Sequence, residues 1–310
     1  MLKKILIVLG SVFVLWSVFI IGKISLPESI KEFFAATFFV QSITVDDLKS
    51  KFLEAPQTGR KVKILIVPGH EPNYGGAEYG ALKERDMNVD LALRLAEHFK
   101  SNSHFDISLT RDKNIWNPEL ESYFKNNWQA IIDFSKLKKS EMEKLVLDGR
   151  LAKVNGVAHP VVSSDVATRL YGINKWASEN DVDLLVHIHF NDYPRARADR
   201  PGKYWGFTIY VPEQQYSNSL ATREVAKHVL DELSKGFTIS NFPKEESGIV
   251  ESPDLIATGN ANTVDGASLL IEYGYIYRPV FQDEEQSEKF MEEMAERTYL
   301  GLVDFFQTAK

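Results

Sequence analysis

The run Ile64-Leu65-Ile66-Val67, cut off by Pro68-Gly69, carries no polar residue on either face. A strand with one wet face alternates apolar and polar side chains, so an unbroken run predicts a strand covered on both faces. Such a strand needs helices above and below it, and the sequence supplies them. Met87, Leu91, Leu95 and Phe99 recur at helical spacing, and Phe105-Asp106-Ile107-Ser108-Leu109 follows as a second strand. Ser164 caps a helix that aligns Val166, Leu170, Ile173 and Ala177. Asp183 to His189 reads as a third strand, Gly206 to Val211 as a fourth and Leu220 to Leu233 as a helix. Ser268 to Glu272 reads as a fifth strand, and Glu285 to Phe306 as a closing helix. This alternation predicts an α/β fold, a single domain over 61–310 with a largely parallel twisted sheet flanked by helices.

The N-terminus has a different character. Lys3 and Lys4 precede an apolar run from Ile5 to Ile21. That run exceeds the about 7–15 apolar residues of a signal peptide and is long enough for a tilted membrane span. No small-x-small cleavage pattern follows promptly, so residues 1–24 are expected to be an uncleaved transmembrane signal-anchor, with a cleaved, secreted form as the alternative. The two lysines predict a cytoplasmic N-terminus and an extracytoplasmic remainder. Ser25 and Glu28 make a capping-box pattern around Pro27, and Ile30, Phe33, Phe34 and Phe38 share a face, which predicts a short amphipathic helix over 25–40. The polar stretch 41–60 reads as a stalk.

Charge and cysteine content narrow the chemistry. A formal net charge of −7 opposes nucleic-acid binding, so no nucleic-acid partner is expected. No feature specifies a regulatory protein partner. The absence of cysteine excludes disulfides and thiol nucleophiles, and leaves any zinc to histidines and carboxylates.

In open α/β sheets, ligands bind beyond the carboxyl ends of the strands. The first strand ends in His70, the third in His189 and the fifth in Glu272, while Glu84 opens the helix after the first strand. Two imidazoles and one carboxylate, with water in the fourth position, form the ligand set of a catalytic zinc site. A further carboxylate can then serve as general base. Glu272 follows Leu269-Leu270-Ile271, where an unpaired carboxylate costs free energy unless it has a task. His187 and His189 alternate onto the same strand face, so this His-x-His pair could itself chelate a metal.

In this order, the segments resemble the zinc-dependent N-acetylmuramoyl-L-alanine amidases of the type-3 amidase fold. Ile66-Val67-Pro68-Gly69-His70 resembles the strand and Gly-His that open the family's domain, and Glu84-Arg85-Asp86-Met87-Asn88 its Glu and polar helix start. Leu109-Thr110-Arg111-Asp112 is similar to its strand-ending Thr-Arg, and Arg169 with Asn174 to its Arg-containing helix. His187-Ile188-His189-Phe190-Asn191 resembles its Ser-Ile-His-x-Asn, and Leu270-Ile271-Glu272-Tyr273-Gly274 its Val-Glu-x-Gly element. The resemblance implies zinc bound by His70, Glu84 and His189, a catalytic Glu272, and hydrolysis of the amide between N-acetylmuramic acid and L-alanine in peptidoglycan. It moves His187 to a supporting position, beside Arg169 and Asn191.

Two departures bear on the substrate. Glu71-Pro72-Asn73-Tyr74 stands where the family has Gly-Gly, which leaves open a related zinc hydrolase acting on another amide or peptide. A non-catalytic wall-binding protein of the same fold is the other alternative. About fifty additional residues, 113–163, separate Thr-Arg from the Arg helix. Within them, Trp116, Phe124, Trp128, Ile131 and Ile132 predict one amphipathic helix, and Ser140-Glu141-Met142-Glu143 starts another. This helical insertion is a candidate lid over the metal.

Overall fold

A computed structural model describes residues 41–154, 156, 162–192 and 195–308. The expected membrane anchor and the amphipathic helix over 25–40 lie outside these residues. Among the described residues, no helix is long and apolar enough to cross a membrane.

Among the described residues, eight strands and six α-helices follow in chain order: α1 (Val45–Thr58), β1 (Val62–Pro68), β2 (Glu78–Tyr79), β3 (Leu82–Lys83), α2 (Glu84–Phe99), β4 (Phe105–Leu109), α3 (Pro118–Leu147), α4 (Ser164–Glu179), β5 (Leu184–Asn191), β6 (Thr208–Val211), α5 (Ser219–Leu233), β7 (Ile249–Glu251), β8 (Ala267–Tyr275) and α6 (Glu284–Gln307). The main sheet has the order β4-β1-β5-β8-β6-β7. Its first four strands run parallel, β6 runs antiparallel to β8, and β7 runs parallel to β6. The carboxyl ends of β1, β5 and β8 therefore share one rim.

The sheet lies between two apolar layers. Ile64, Ile66, Val186, Ile188, Leu269 and Ile271 face a core built with α1, α2, α5 and α6. Leu65, Val67 and Leu185 point the other way, onto Leu120, Phe124 and Ile131 of α3 and Tyr171, Ile173 and Ala177 of α4. The unbroken apolar run of β1 is thus covered on both faces, as a parallel central strand requires.

Two expectations are corrected. The stretch 41–60 is not a stalk, because residues 45–58 are helical and belong to the core. Thr44 and Asp47 form a reciprocal capping box, Gly59 closes the helix at φ 71°, and Leu48, Phe52 and Ala55 are buried. Those residues stand at i, i+4 and i+7, a narrow apolar stripe that a polar average conceals. Phe52 stacks on His104 at 4.4 Å and on Phe306 at 5.3 Å. Among the described residues of the insertion, helix runs over Pro118–Leu147 as two segments joined at a kink at Asn127 (φ −120°, ψ 16°), so the break falls inside the first expected helix and not before Ser140. Ser140 lies inside that helix, so its capping-box pattern is overridden by continuation of the hydrogen-bond ladder. The apolar face of α3 rests on α4 through Leu120, Phe124 and Ile131.

Candidate metal centre

At the end of β1 the chain turns through Gly69 into His70, which adopts a left-handed φ of 70°. Gly69 must lack a side chain, since a Cβ there would stand 2.2 Å from Cε1 and Nε2 of His189. Gly76 closes the other side at φ 79°, and its Cβ would meet Cδ2 of His70 at 2.7 Å. The two glycines hold open the space that both imidazoles occupy.

Glu84 opens α2 between them. Its Oε2 accepts the Ala77 N–H at 2.8 Å, and its Oε1 accepts the Phe190 N–H at 3.2 Å. Oε1 also lies 2.8 Å from Nε2 of His70 and 3.0 Å from Nδ1 of His189. One donor atom from each of His70, Glu84 and His189 falls within 4.8 Å of the others, a group that could hold a metal ion. Nε2 of His70 is buried and makes no hydrogen bond of good geometry among the described residues, although it stands beside Oε1 of Glu84. Burial alone would raise the Glu84 carboxyl, but the charge of His70 and the hydrogen bond from His189 outweigh it. They hold Glu84 well below the usual carboxylate range.

Glu272 pairs in register with His189 on one side and Thr208 on the other. Its Oε2 is buried without a hydrogen-bond partner among the described residues. Burial, then the nearby charges of Glu84 and Glu245, raises its carboxyl well above the usual range. His187 stands two residues deeper in β5 and does not join the three-residue group. Burial and the charge of His189 push its imidazole down to about 3, against a hydrogen bond with the Ala257 carbonyl, so it is neutral.

The remaining candidates meet the site indirectly. Arg169 places Nη1 3.4 Å from Glu71 and stacks over Trp128 at 5.4 Å from the ring centre. Glu71 follows His70 directly and also accepts the Trp116 indole N–H at 3.3 Å, so α4 and the approach to α3 brace the loop after the first histidine. Asn191 donates to Glu245 at 3.3 Å.

Sequence reasoning gave no role to Arg111 or Glu245. Arg111 is buried and donates to the carbonyls of Pro68 (3.2 Å), Gly69 (2.5 Å), Arg85 (2.9 Å) and Asp112 (2.9 Å). It ties the turn carrying His70 to the start of the helix carrying Glu84. Burial lowers its guanidinium to about 10, so it keeps its charge. Arg111 follows an edge strand of which only Phe105 is buried, so strand burial gave no signal for it. Glu245 is buried among the hydroxyls of Tyr210 (2.7 Å), Tyr275 (3.1 Å) and Ser240 (2.5 Å). It lies in an aperiodic loop, and no local pattern announces it.

Comparison with known proteins agrees with this architecture. A Buchnera aphidicola protein provisionally named an N-acetylmuramoyl-L-alanine amidase is 22% identical over 256 residues, covering 80% of this chain and 95% of its own. The CwlD amidase of Clostridioides difficile, in complex with the GerS lipoprotein, is 19% identical and superposes with a TM-score of 0.51 over 79% of this chain and 98% of its own. The apo N-acetylmuramyl-L-alanine amidase Ami1 of Mycobacterium abscessus gives 15% identity and the same TM-score, over 79% and 98%. At such identities the two structures attest the fold. The profile of the N-acetylmuramoyl-L-alanine amidases matches residues 144–304, which include His189 and Glu272, and with more than half of its length so matched the chain belongs to that family.

Proposed function

We propose that the chain is a zinc-dependent N-acetylmuramoyl-L-alanine amidase in which His70, Glu84 and His189 hold the metal and Glu272 is the general base. The observation that carries this reading is the convergence of the three donor groups within 4.8 Å, with the orphaned carboxylate of Glu272 in register beside His189. Two imidazoles and one carboxylate are a donor set that suits zinc. When bound, zinc supplies Lewis-acid polarisation of the scissile carbonyl and of the attacking water.

The chain's own residues do the rest. Anchoring of Oε2 of Glu84 by Ala77 leaves Oε1 facing both imidazoles. Glu272 removes a proton from the attacking water and delivers it to the nitrogen of the leaving L-alanine. Burial, with the charges of Glu84 and Glu245 nearby, raises its affinity for a proton. The products are a lactyl carboxylate on the muramoyl residue and a stem peptide with a free amine.

Mass spectrometry of purified peptidoglycan digested by the zinc-loaded full-length chain tests the reading. Peptides beginning at L-alanine are expected. Cleavage inside the peptide would favour the second hydrolase reading, for which the Glu71-Pro72-Asn73-Tyr74 loop speaks. An intact polymer together with a metal-free protein would favour a wall-binding role.

Lys3, Lys4 and the apolar run Ile5 to Ile21 support a single-pass membrane anchor with the amidase domain outside. External protease acting on cells with a permeable wall should digest the domain, and full protection would refute this topology.

A further inference from the structure

The loop 192–207 leaves the sheet at Asn191, two residues after His189, and returns at Thr208, the register partner of Glu272. Both of its ends therefore stand on the rim that carries the candidate metal centre. The loop contains Arg195, Arg197, Arg200 and Lys203 against Asp192 and Asp199, and Arg278 adjoins it just beyond β8. That is a local excess of positive charge in a chain of net charge −7. Arg195 is tied to Asp192 and Arg197 to Asp199. Among the described residues, no ion pair engages Arg200, Lys203 or Arg278.

Trp205 follows Lys203 by two residues and has 43% of its surface exposed. The Arg278 guanidinium lies 5.7 Å from its ring centre, and the Lys203 ammonium lies 5.0 Å from that of Tyr204. A single exposed tryptophan needs no explanation by itself. Here the backbone beneath it is fixed. The Trp205 N–H donates to Asn241 Oδ1 at 2.8 Å, and the Asn241 N–H donates to the Trp205 carbonyl at 3.1 Å. Tyr277 receives the Tyr204 N–H at 3.2 Å and donates to the Tyr204 carbonyl at 3.1 Å. A Cβ on Gly206 (φ 95°) would stand 2.4 Å from the Ile239 carbonyl oxygen. A large ring on a fixed backbone loses little conformational entropy when a ligand covers it.

We propose that Trp205, Lys203 and Arg278 form a subsite for the acidic stem peptide of the substrate. The open face of Trp205 packs against the peptide, and the unpaired cations meet its carboxylates. This extends the amidase reading, on which it rests, to the peptide side of the scissile bond.

The test is equilibrium binding to the metal-free full-length chain in detergent, where no turnover occurs. The probes are N-acetylmuramoyl-L-alanyl-D-glutamate and the same compound with both glutamate carboxylates amidated. The wild type should bind the acid about tenfold more tightly at low salt, as charge-assisted contacts imply. That advantage should shrink with added salt. The double variant Lys203→Gln/Arg278→Gln should lose the preference while binding the diamide as before, which also reports an intact fold. Trp205→Ala should weaken both ligands. Equal binding of the two by the wild type, a preference that survives in the double variant, or parallel loss of both ligands in it would overturn the proposal. So would a glycerol-phosphate oligomer that binds more tightly than the acid through the same two residues. Peptide release by the zinc-loaded wild type is measured separately. Release without acid preference overturns only the subsite, and acid preference without release overturns only the amidase reading.

Discussion

Substitution of Gly69 by alanine tests whether the space between the two imidazoles is the functional feature of this rim. The new Cβ would lie 2.2 Å from Cε1 and Nε2 of His189 and 2.7 Å from Cδ2. Relief to an ordinary contact of about 3.4 Å requires a movement of about 1 Å, several times the about 0.2 Å by which metal–ligand distances vary. Neither side can yield easily. The Gly69 N–H is bonded to the Ile188 carbonyl at 2.9 Å, and the Gly69 carbonyl accepts from Arg111 and Asn88. The His189 ring is held by Glu84 at 3.0 Å. Overpacking of this kind costs about 1–3 kcal/mol, a fall in Tm of about 2–12 °C for a domain of this size. Zinc affinity, measured by competition with a chromophoric chelator, should fall by at least the about 10–100-fold seen when ligand orientation is disturbed. Gly80→Ala is the control. Its φ of 61° imposes backbone strain, but its Cβ would meet only Gln282 Oε1 at 3.4 Å, so it should lower Tm without touching the metal. A Gly69→Ala protein with wild-type zinc affinity would refute the claim that this glycine exists to admit His189.

Glu272→Gln should retain fold and zinc and lose about 10²–10⁴-fold in kcat, the usual worth of a positioned general base; near-normal turnover, or loss of zinc in elemental analysis, would remove it from that role. His189→Ala should empty the metal centre, whereas His187→Ala should keep most of the metal, since the neutral His187 side chain is engaged with the Ala257 carbonyl. Stability should also report on Glu213, which burial pushes up to about 7 while Gln215 donates to it. A carboxyl raised in the folded state binds its proton more tightly there than in the unfolded chain. Its stabilising effect is therefore complete below about pH 4.5 and is lost as pH rises through about 7. Glu213→Gln should match the wild type in thermal melts near pH 4.5 and exceed it at pH 8 by up to about 3 kcal/mol; equal melts at pH 8 would refute this.

The parts of the site that could be read from sequence are those where a local pattern states a physical conflict. A carboxylate after Leu269-Leu270-Ile271 is such a conflict, and Glu272 does carry a buried oxygen unpartnered among the described residues, although β8 does not end there but runs on through the buried Tyr273, Gly274 and Tyr275. Arg111 follows the edge strand β4, where no buried run states such a conflict, and its role depends on carbonyls from the Pro68-Gly69 turn and the start of α2, which no neighbouring residue reveals. Glu245 depends still more on distant chain, drawing its donors from β5, β6, β8 and Ser240. The helix α1 escaped for another reason, since its buried stripe consists of Leu48, Phe52 and Ala55 within an otherwise polar segment.

The two histidines of β5 show where local pattern stops deciding. Alternation puts both on one face, so side-chain direction cannot separate them. Depth along the strand does. Register sets His187 opposite Val67 and Leu270, inside the sheet, and His189 opposite Glu272, at the rim where Glu84 reaches it. That register is fixed by the apolar faces of β1, β5 and β8 together, because a one-residue slip of β5 would turn Val186 and Ile188 out of their core. The identity of the candidate metal ligand is thus a consequence of packing spread over three strands.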